Sequence, residues 1–269
     1  MTRNAITTVL FLLVAGGCAR GPRIDYVIPS RSQDSRVQYL ILHFTNENWD
    51  ASIKILTEGR VSSHYLVRDH PVEIAQLVAE DRRAFHAGAS SWKGETMLNS
   101  ASIGIEIVNR GDDKGPDGSI YPEYPKAQID AVVELVKAIV RRHGIRGERI
   151  LGHSDIAPLR KVDPGPKFPW KRLADEGLIP WPDAAAVAAA KKRHEATLPD
   201  VAWFQTRLAE HGFAPPRTGT LDADTRRILA AFQMKYRPSN FDGTPDAETA
   251  AILEVMTAPI RTPVKPRIG

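Results

Sequence analysis

The strongest constraint in this sequence is a set of short stretches that are apolar on both faces of a strand. In Val37–Thr45, alternation puts Val37, Tyr39, Ile41 and His43 on one face and Gln38, Leu40, Leu42 and Phe44 on the other. Ser102–Val108 turns Ile103, Ile105 and Ile107 one way and Gly104, Glu106 and Val108 the other. Strands of this kind need cover on both sides, which a central position in a layered sheet provides. Val61–Val67, Glu73–Ala79 and the short Glu148–Gly152 read as further strands. Gln128–His143 carries Ile129, Val132, Val133, Val136, Ile139 and Val140 at helical spacing, with Gly144 placed as a left-handed cap. Strands interleaved with helices predict an α/β layer domain over residues 36–181.

A length of 269 residues suggests two domains. The C-terminal stretch supplies the second through an internal repeat. Gly219–Leu229 recurs 24 residues later as Gly243–Leu253, with seven of eleven positions identical. Asp222 and Asp246 are placed to cap helices, followed by Asp224 and Glu248 in the first turns. Ile228, Leu229 and Phe232, then Ile252, Leu253 and Met256, mark buried faces. With Val201, Phe204 and Leu208 on a preceding helix, this predicts a small three-helix module over 198–258, followed by a tail, 259–269. Residues 182–197, Ala-rich and then Lys-Lys-Arg-His-Glu, read as a semi-rigid helical linker.

The N-terminus reads as an export segment. Arg3 precedes an apolar stretch, Ala5–Ala15, that is too short to span a bilayer. Ala15-Gly16-Gly17-Cys18 resembles a bacterial lipobox, which would make residues 1–17 a signal peptide, Cys18 the lipidation site and 18–35 a tether. Ala19 resembles the pattern of lipoproteins sent to the outer membrane, so a periplasmic protein anchored to its inner leaflet is expected. An ordinary secretory signal with an incidental cysteine is the alternative. Cys18 is the single cysteine, which excludes an intrachain disulfide and any multi-cysteine metal site. A metal would have to be held by nitrogen and oxygen. The net charge of +4, without a Lys/Arg block, does not indicate nucleic acid.

Among eight histidines, His70, His143, His194 and His211 fall in turns, a helix end, the linker and the helical module, and read as surface groups. His43 and His153 differ, because each ends a short strand. His43 precedes the polar Thr45–Asn48 run, and Gly152-His153-Ser154-Asp155 leads to Lys161-Val162-Asp163-Pro164-Gly165. Two strand-end imidazoles plus a loop carboxylate would make a three-ligand site with an open position, the arrangement of catalytic zinc. Glu106 would then be placed to act on the attacking water. A lone strand-end histidine is also compatible with a purely structural role.

Taken in order, several motifs resemble those of a known family. They are His43-Phe44-Thr45, Val61-Ser62-Ser63-His64-Tyr65, Phe85-His86-Ala87-Gly88, Ser91-Trp92, Ser102–Ile107, Gly152–Pro158 and Lys161-x-Asp163-Pro164-Gly165. This set is similar to the zinc-dependent N-acetylmuramoyl-L-alanine amidases of the AmpD/AmiD type. Residues 198–258, with Phe204-Gln205-x-x-Leu208 and Ala231-Phe232-Gln233, resemble the peptidoglycan-binding module appended to cell-wall hydrolases. The resemblance implies a mixed central β-sheet flanked by helices and cleavage of the lactyl–L-Ala amide in peptidoglycan or muropeptides. It further implies one zinc per chain on His43, His153 and Asp163, where the related phage lysozyme-amidase has cysteine as third ligand. Glu106 falls at the catalytic glutamate and Lys161 at the oxyanion-stabilising lysine. By position, His86 and Trp92 would line the groove, and Asn46 and Ala157 would meet the muropeptide. A non-catalytic peptidoglycan-recognition protein and a zinc murein endopeptidase are the alternatives. The first loses a zinc ligand, and the second typically carries motifs such as His-x-His. The helical module is expected to act as a second weak murein site.

Overall fold

Tyr39–Phe44 (β1) pairs in parallel on both sides, which is the central position its two apolar faces demand. The computed structural model describes residues 28–111, 113–115 and 118–259. The export segment, Cys18 and the tail from residue 260 lie outside the described residues. After β1 come α1 (Trp49–Glu58), β2 (Tyr65–Val67), β3 (Ile74–Gln76), a hairpin of β4 (Ser91–Trp92) and β5 (Glu95–Thr96), and β6 (Ser102–Ile107). A second hairpin, β7 (Asp113–Gly115) and β8 (Gly118–Ile120), leads to α2 (Lys126–His143), β9 (Ile150–Gly152), α3 (His153–Ile156) and α4 (Trp170–Asp175). Four helices follow: α5 (Ala184–Ala196), α6 (Val201–His211), α7 (Ala223–Tyr236) and α8 (Ala247–Met256).

The main sheet has the order β3-β2-β6-β1-β9. β2, β6, β1 and β9 are parallel, and β3 runs antiparallel at one edge, so the sheet is mixed as expected. On one face, Leu40, Leu42, Ile103, Ile105 and Ile107 pack against Ile129, Val132, Val133, Val136 and Ile139 of α2. Gly144 closes that helix in the left-handed conformation, at φ 66°. On the other face, Tyr39, Ile41 and Leu151 share a core with Phe204, Leu208, Ile228, Leu229 and Phe232. The second cover of the sheet is therefore the helical module itself. Among the described residues, the chain from Ser35 onward forms one compact unit.

The repeat has a hydrogen-bonding logic. Gln205 accepts from Gly219 N–H and donates to Thr225 Oγ1, and Gln233 accepts from Gly243 N–H and donates to Thr249 Oγ1. Asp222 and Asp246 cap α7 and α8 by accepting from those same threonine N–H groups. Each glutamine thus ties its own helix to the turn and first residues of the next.

Four expectations need correction. α1 was not foreseen, although Asn48 caps it by accepting from Ala51 N–H. The strands expected over Val61–Val67 and Glu73–Ala79 shrink to three residues each, and β9 is preceded by a 3₁₀ turn, Gly147–Arg149. The helix expected in the linker is present as α5, but it does not hold the module at a distance: it lies along α8 with Lys191 and His194 paired to Glu248 and Glu254. An alanine run shows no apolar stripe in sequence, yet it lets two helix backbones approach closely. His194 is buried in that contact, and His211 packs among Trp92, Phe213, Phe232 and Tyr236, so neither is a surface group.

Candidate metal centre

The site forms at the C-terminal ends of the parallel strands, where open α/β sheets place their ligands. His43 is the fifth residue of β1 and pairs in register with Glu106 on β6. β9 delivers His153 as the first residue of α3. Asp163 follows on the next loop, anchored by its carbonyl, which accepts the Ser154 N–H at 2.9 Å. His43 Nδ1 lies 3.0 Å from His153 Nδ1 and 2.9 Å from Asp163 Oδ2, and His153 Nδ1 lies 3.0 Å from that same oxygen. All three side chains are buried.

Hydrogen bonds behind the ligands fix which nitrogen carries each proton. His153 Nε2 meets the carbonyl of Ala87 at 3.1 Å, and a carbonyl can only accept. Arg160 Nη2, which can only donate, lies farther off at 3.3 Å and gives its proton to that same carbonyl. His153 Nε2 is therefore protonated, and Nδ1 presents a lone pair. Ser102 donates its hydroxyl proton to Leu98 O, so its oxygen accepts from His86 Nε2 at 3.2 Å. His86 Nδ1 must then accept from His43 Nε2 at 3.0 Å, and His43 Nδ1 is also a lone pair. Two imidazole lone pairs and a carboxylate converge within about 3 Å, an arrangement that repels itself without a cation. Tetrahedral zinc at ~2.0–2.1 Å from nitrogen and oxygen leaves neighbouring ligands roughly 3.3 Å apart, so this donor set fits that ion. Ligand orientation by outer hydrogen bonds is the usual support of such centres.

The electrostatics agree. Burial, then the neighbouring His153, pushes His43 down to about 4. His86 is held well below the usual histidine range by burial and by the imidazoles of His43, His64 and His153. Burial alone would raise Asp163, but the imidazoles of His153 and His43 outweigh it and hold the carboxyl far below its usual range. Glu106 goes the other way: burial and the charge of Asp163 raise it well above the ordinary glutamate range, with Lys161 opposing. Its Oε2 is buried and has no hydrogen-bond partner among the described residues. A cavity of about 180 Å³ opens over these groups, with Glu106 and Lys161 lining it beside the three ligands.

A family model described as N-acetylmuramoyl-L-alanine amidase matches residues 33–166, and one described as a peptidoglycan binding domain matches 197–253. The chain is 39% identical over 271 residues to the N-acetylmuramoyl-L-alanine amidase AmiD of Escherichia coli K12, which covers 94% of this chain and 97% of AmiD. The chain belongs to the N-acetylmuramoyl-L-alanine amidase family. Among solved structures, the amidase resembles AmpDh3 of Pseudomonas aeruginosa at 41% identity and a TM-score of 0.81, over 88% of this chain and 98% of that one. It also resembles E. coli AmiD bound to anhydro-N-acetylmuramic acid-L-Ala-D-γ-Glu-L-Lys, at 39% identity and a TM-score of 0.79, over 88% and 94%.

The amidase brings His43, His153, Asp163, Glu106 and Lys161 to one cavity, but not every residue expected beside them. His86 lines the cavity, yet both of its ring nitrogens are engaged, so it supports His43 rather than substrate. Trp92 is 2% exposed, with its ring against His211 and Phe213 of the helical module. A hairpin tied to Gly212 O through Lys93 N–H draws it into the core under the sheet and away from the groove. Ala157 is buried in that same core. Asn46 lies in a neighbouring depression with Asn109 and Arg110. Sequence reasoning missed Ser102, which ends the histidine chain, and Tyr124, whose hydroxyl donates to Pro164 O at 2.8 Å beside Asp163. Ser102 stood in a quoted motif, but nothing in its spacing showed that its hydroxyl would face His86.

Proposed function

We propose that this amidase holds one zinc ion on His43 Nδ1, His153 Nδ1 and Asp163, and there cleaves the amide between the muramic acid lactyl carbonyl and L-alanine. The substrate in the E. coli AmiD complex contains that amide. Zinc bound there supplies a Lewis acid for the carbonyl and activates water for attack at neutral pH. Glu106 carries the reading: a carboxylate beside His43, with one oxygen unpartnered among the described residues and a raised proton affinity, is suited to proton transfer. It takes a proton from the attacking water as the C–O bond forms. It returns that proton to the leaving nitrogen as the C–N bond breaks, leaving a lactyl carboxylic acid and a free L-Ala amine; the acid then loses its own proton to the amine or to solvent. The ammonium of Lys161, on the cavity wall, faces the negative charge that develops on the carbonyl oxygen. Donors in that role contribute about 3–4 kcal/mol.

Mass spectrometry of muropeptides incubated with the protein tests this reading. Lactyl carboxyl and L-Ala amine ends are expected, abolished by a chelator and restored by zinc. Cleavage inside the stem peptide, or undiminished cleavage in chelator, would refute it.

The N-terminal sequence supports export, lipidation at Cys18 and attachment to the outer membrane facing the periplasm. Several acyl chains on one cysteine would give the stable anchoring that a single chain does not. Cys18→Ser is expected to move the protein from the membrane fraction to the soluble periplasm without changing its activity on soluble muropeptides. Unchanged membrane association would reject the anchor.

A further inference from the structure

Near the end of α7, the ammonium of Lys235 leaves the helical module and enters the α/β domain. Its Nζ lies 2.7 Å from Asp155 Oδ2, with the two side chains only 6% and 2% exposed. Behind the ammonium, the Trp170 ring centroid is 4.2 Å away, within cation–π range. Asp155 Oδ2 also accepts the N–H of Gly152 at 2.8 Å, closing the first turn of α3, whose first residue is His153. Gly152 is closely packed where a side chain would be. A Cβ there would lie 2.7 Å from Pro164 Cδ and 3.2 Å from Trp170 Cζ2. Pro164 directly follows Asp163. One ammonium from the helical module therefore sits between Asp155 and Trp170, and both of these groups meet Gly152, the residue before His153.

A buried ion pair is poor evidence of stabilisation, because desolvating two charges offsets most of their attraction. Its value lies in geometry. With Lys235 in place, the Asp155 carboxylate has a fixed rotamer and a second donor, and the Gly152–His153 turn has one position. Without it, a buried carboxylate keeps Gly152 N–H as a partner and loses its counter-charge. It must then turn toward water or draw water in, and the turn carrying His153 goes with it.

We infer that Lys235 is a positioning residue for the metal centre, so that the helical module forms part of the support of the zinc ligand His153. This rests on the zinc reading given above. Groups that hydrogen-bond a ligand directly are typically worth about 10–100-fold in metal affinity, and Lys235, acting one contact further out, belongs at the lower end of that range.

The test uses the full chain with Lys235→Met. The readouts are the zinc Kd by competition with a chromophoric chelator and the visible spectrum of the cobalt-substituted protein. We expect zinc Kd to rise at least tenfold and the cobalt bands to shift, with the far-ultraviolet circular dichroism of the parent retained. Leu229→Ala, on the same helix but in the apolar core, controls for general loosening. It should lower Tm and leave zinc Kd within threefold. Lys235→Arg, which keeps a cation on Asp155, should also stay within threefold. Should Lys235→Met not fold, Lys235→Gln is read by the same criteria. A Kd within threefold for the neutral variant, an equal rise in Leu229→Ala, or an equal rise in Lys235→Arg would each overturn the proposal. A parent protein that binds no zinc would instead defeat the metal reading, which separates the two failures.

Discussion

Gly104→Ala reaches the metal centre without touching a ligand. Gly104 lies on β6, two residues before Glu106, and the His86 ring lies over it. A Cβ at that position would be 2.5 Å from His86 Cγ and 2.7 Å from its Cδ2 and Nδ1. Carbon contacts settle near 3.5–4.0 Å, so something must move by about 1 Å. β6 is fixed between β1 and β2, so the ring gives way before the strand does. His86 is bonded at 3.0 Å to His43 and at 3.2 Å to Ser102. A displacement of about 1 Å stretches the first contact to roughly 4 Å, beyond hydrogen bonding. His43 then loses the group that sets its tautomer and orientation. Zinc Kd should rise about 10–100-fold. Overpacking itself should cost about 1–3 kcal/mol, or roughly 2–4 °C of Tm per kcal/mol in a unit of this size. A chelator competition titration and a thermal melt read the two effects separately. On a His86→Ala background, Gly104→Ala should add little to the metal loss, because its effect runs through that ring. If Tm falls while zinc Kd stays within threefold of the parent, His86 is a packing residue and the relay argument is wrong.

Two other expectations separate roles within the molecule. Glu106→Gln should keep close to one zinc per chain while kcat falls by roughly 10²–10⁴, and loss of zinc would make Glu106 a ligand instead. His211, pushed down to about 3 by burial and then by Lys235 and Lys93, stays neutral in the folded protein while the unfolded chain protonates near 6.5. The stability it contributes is therefore complete above pH 6.5 and lost progressively as pH falls toward 3, with a slope of up to about 1.4 kcal/mol per pH unit. His211→Phe should flatten that acid loss in urea unfolding between pH 7 and 4.5. A parent–variant difference constant over that range would contradict the assignment.

What the sequence made legible was the part of the fold where one residue's neighbours in space follow from one strand's alternation. His43 and Glu106 could be placed because β1 and β6 each carry an unmistakable period of two. Parallel pairing then sets them side by side. His43 and His153 stood out for a related reason, since each closes or directly follows a strand, whereas Asp163 lies on a loop beyond α3 and was singled out by its motif rather than by alternation. Substrate contacts were less legible, because they depend on how hairpins fold back. Trp92 looks like a groove residue in a linear motif, yet Lys93 N–H pairs with Gly212 O, and the indole goes under the sheet. α1 left a readable signal, the Asn48 cap, which the polar run before it obscured. The Lys235–Asp155 pair left none, since residues 80 positions apart on separate modules share no periodicity.

Those missed contacts change what deletion of the helical module can be expected to show. A module on a free tether would leave the sheet intact when removed, and only insoluble murein would become a poorer substrate. Here Tyr39, Ile41, Leu151 and Trp92 are buried in a core that α6 and α7 complete. Exposing an apolar side chain of this size costs about 1.5–3 kcal/mol, so these four alone amount to about 6–12 kcal/mol. That matches the whole folding free energy of an ordinary domain, about 5–15 kcal/mol. Removal of Lys235 also takes away the counter-charge of Asp155 beside His153. Deleting Leu198–Gly269 should therefore abolish cleavage of soluble muropeptide and of insoluble murein together, with a Tm loss large enough to leave little folded protein at 37 °C. Assays of both substrates alongside a thermal melt decide the matter. A truncated protein that melts near the parent and still cleaves soluble muropeptide within a few-fold would show that the sheet stands without its second cover, and the packing argument would fall.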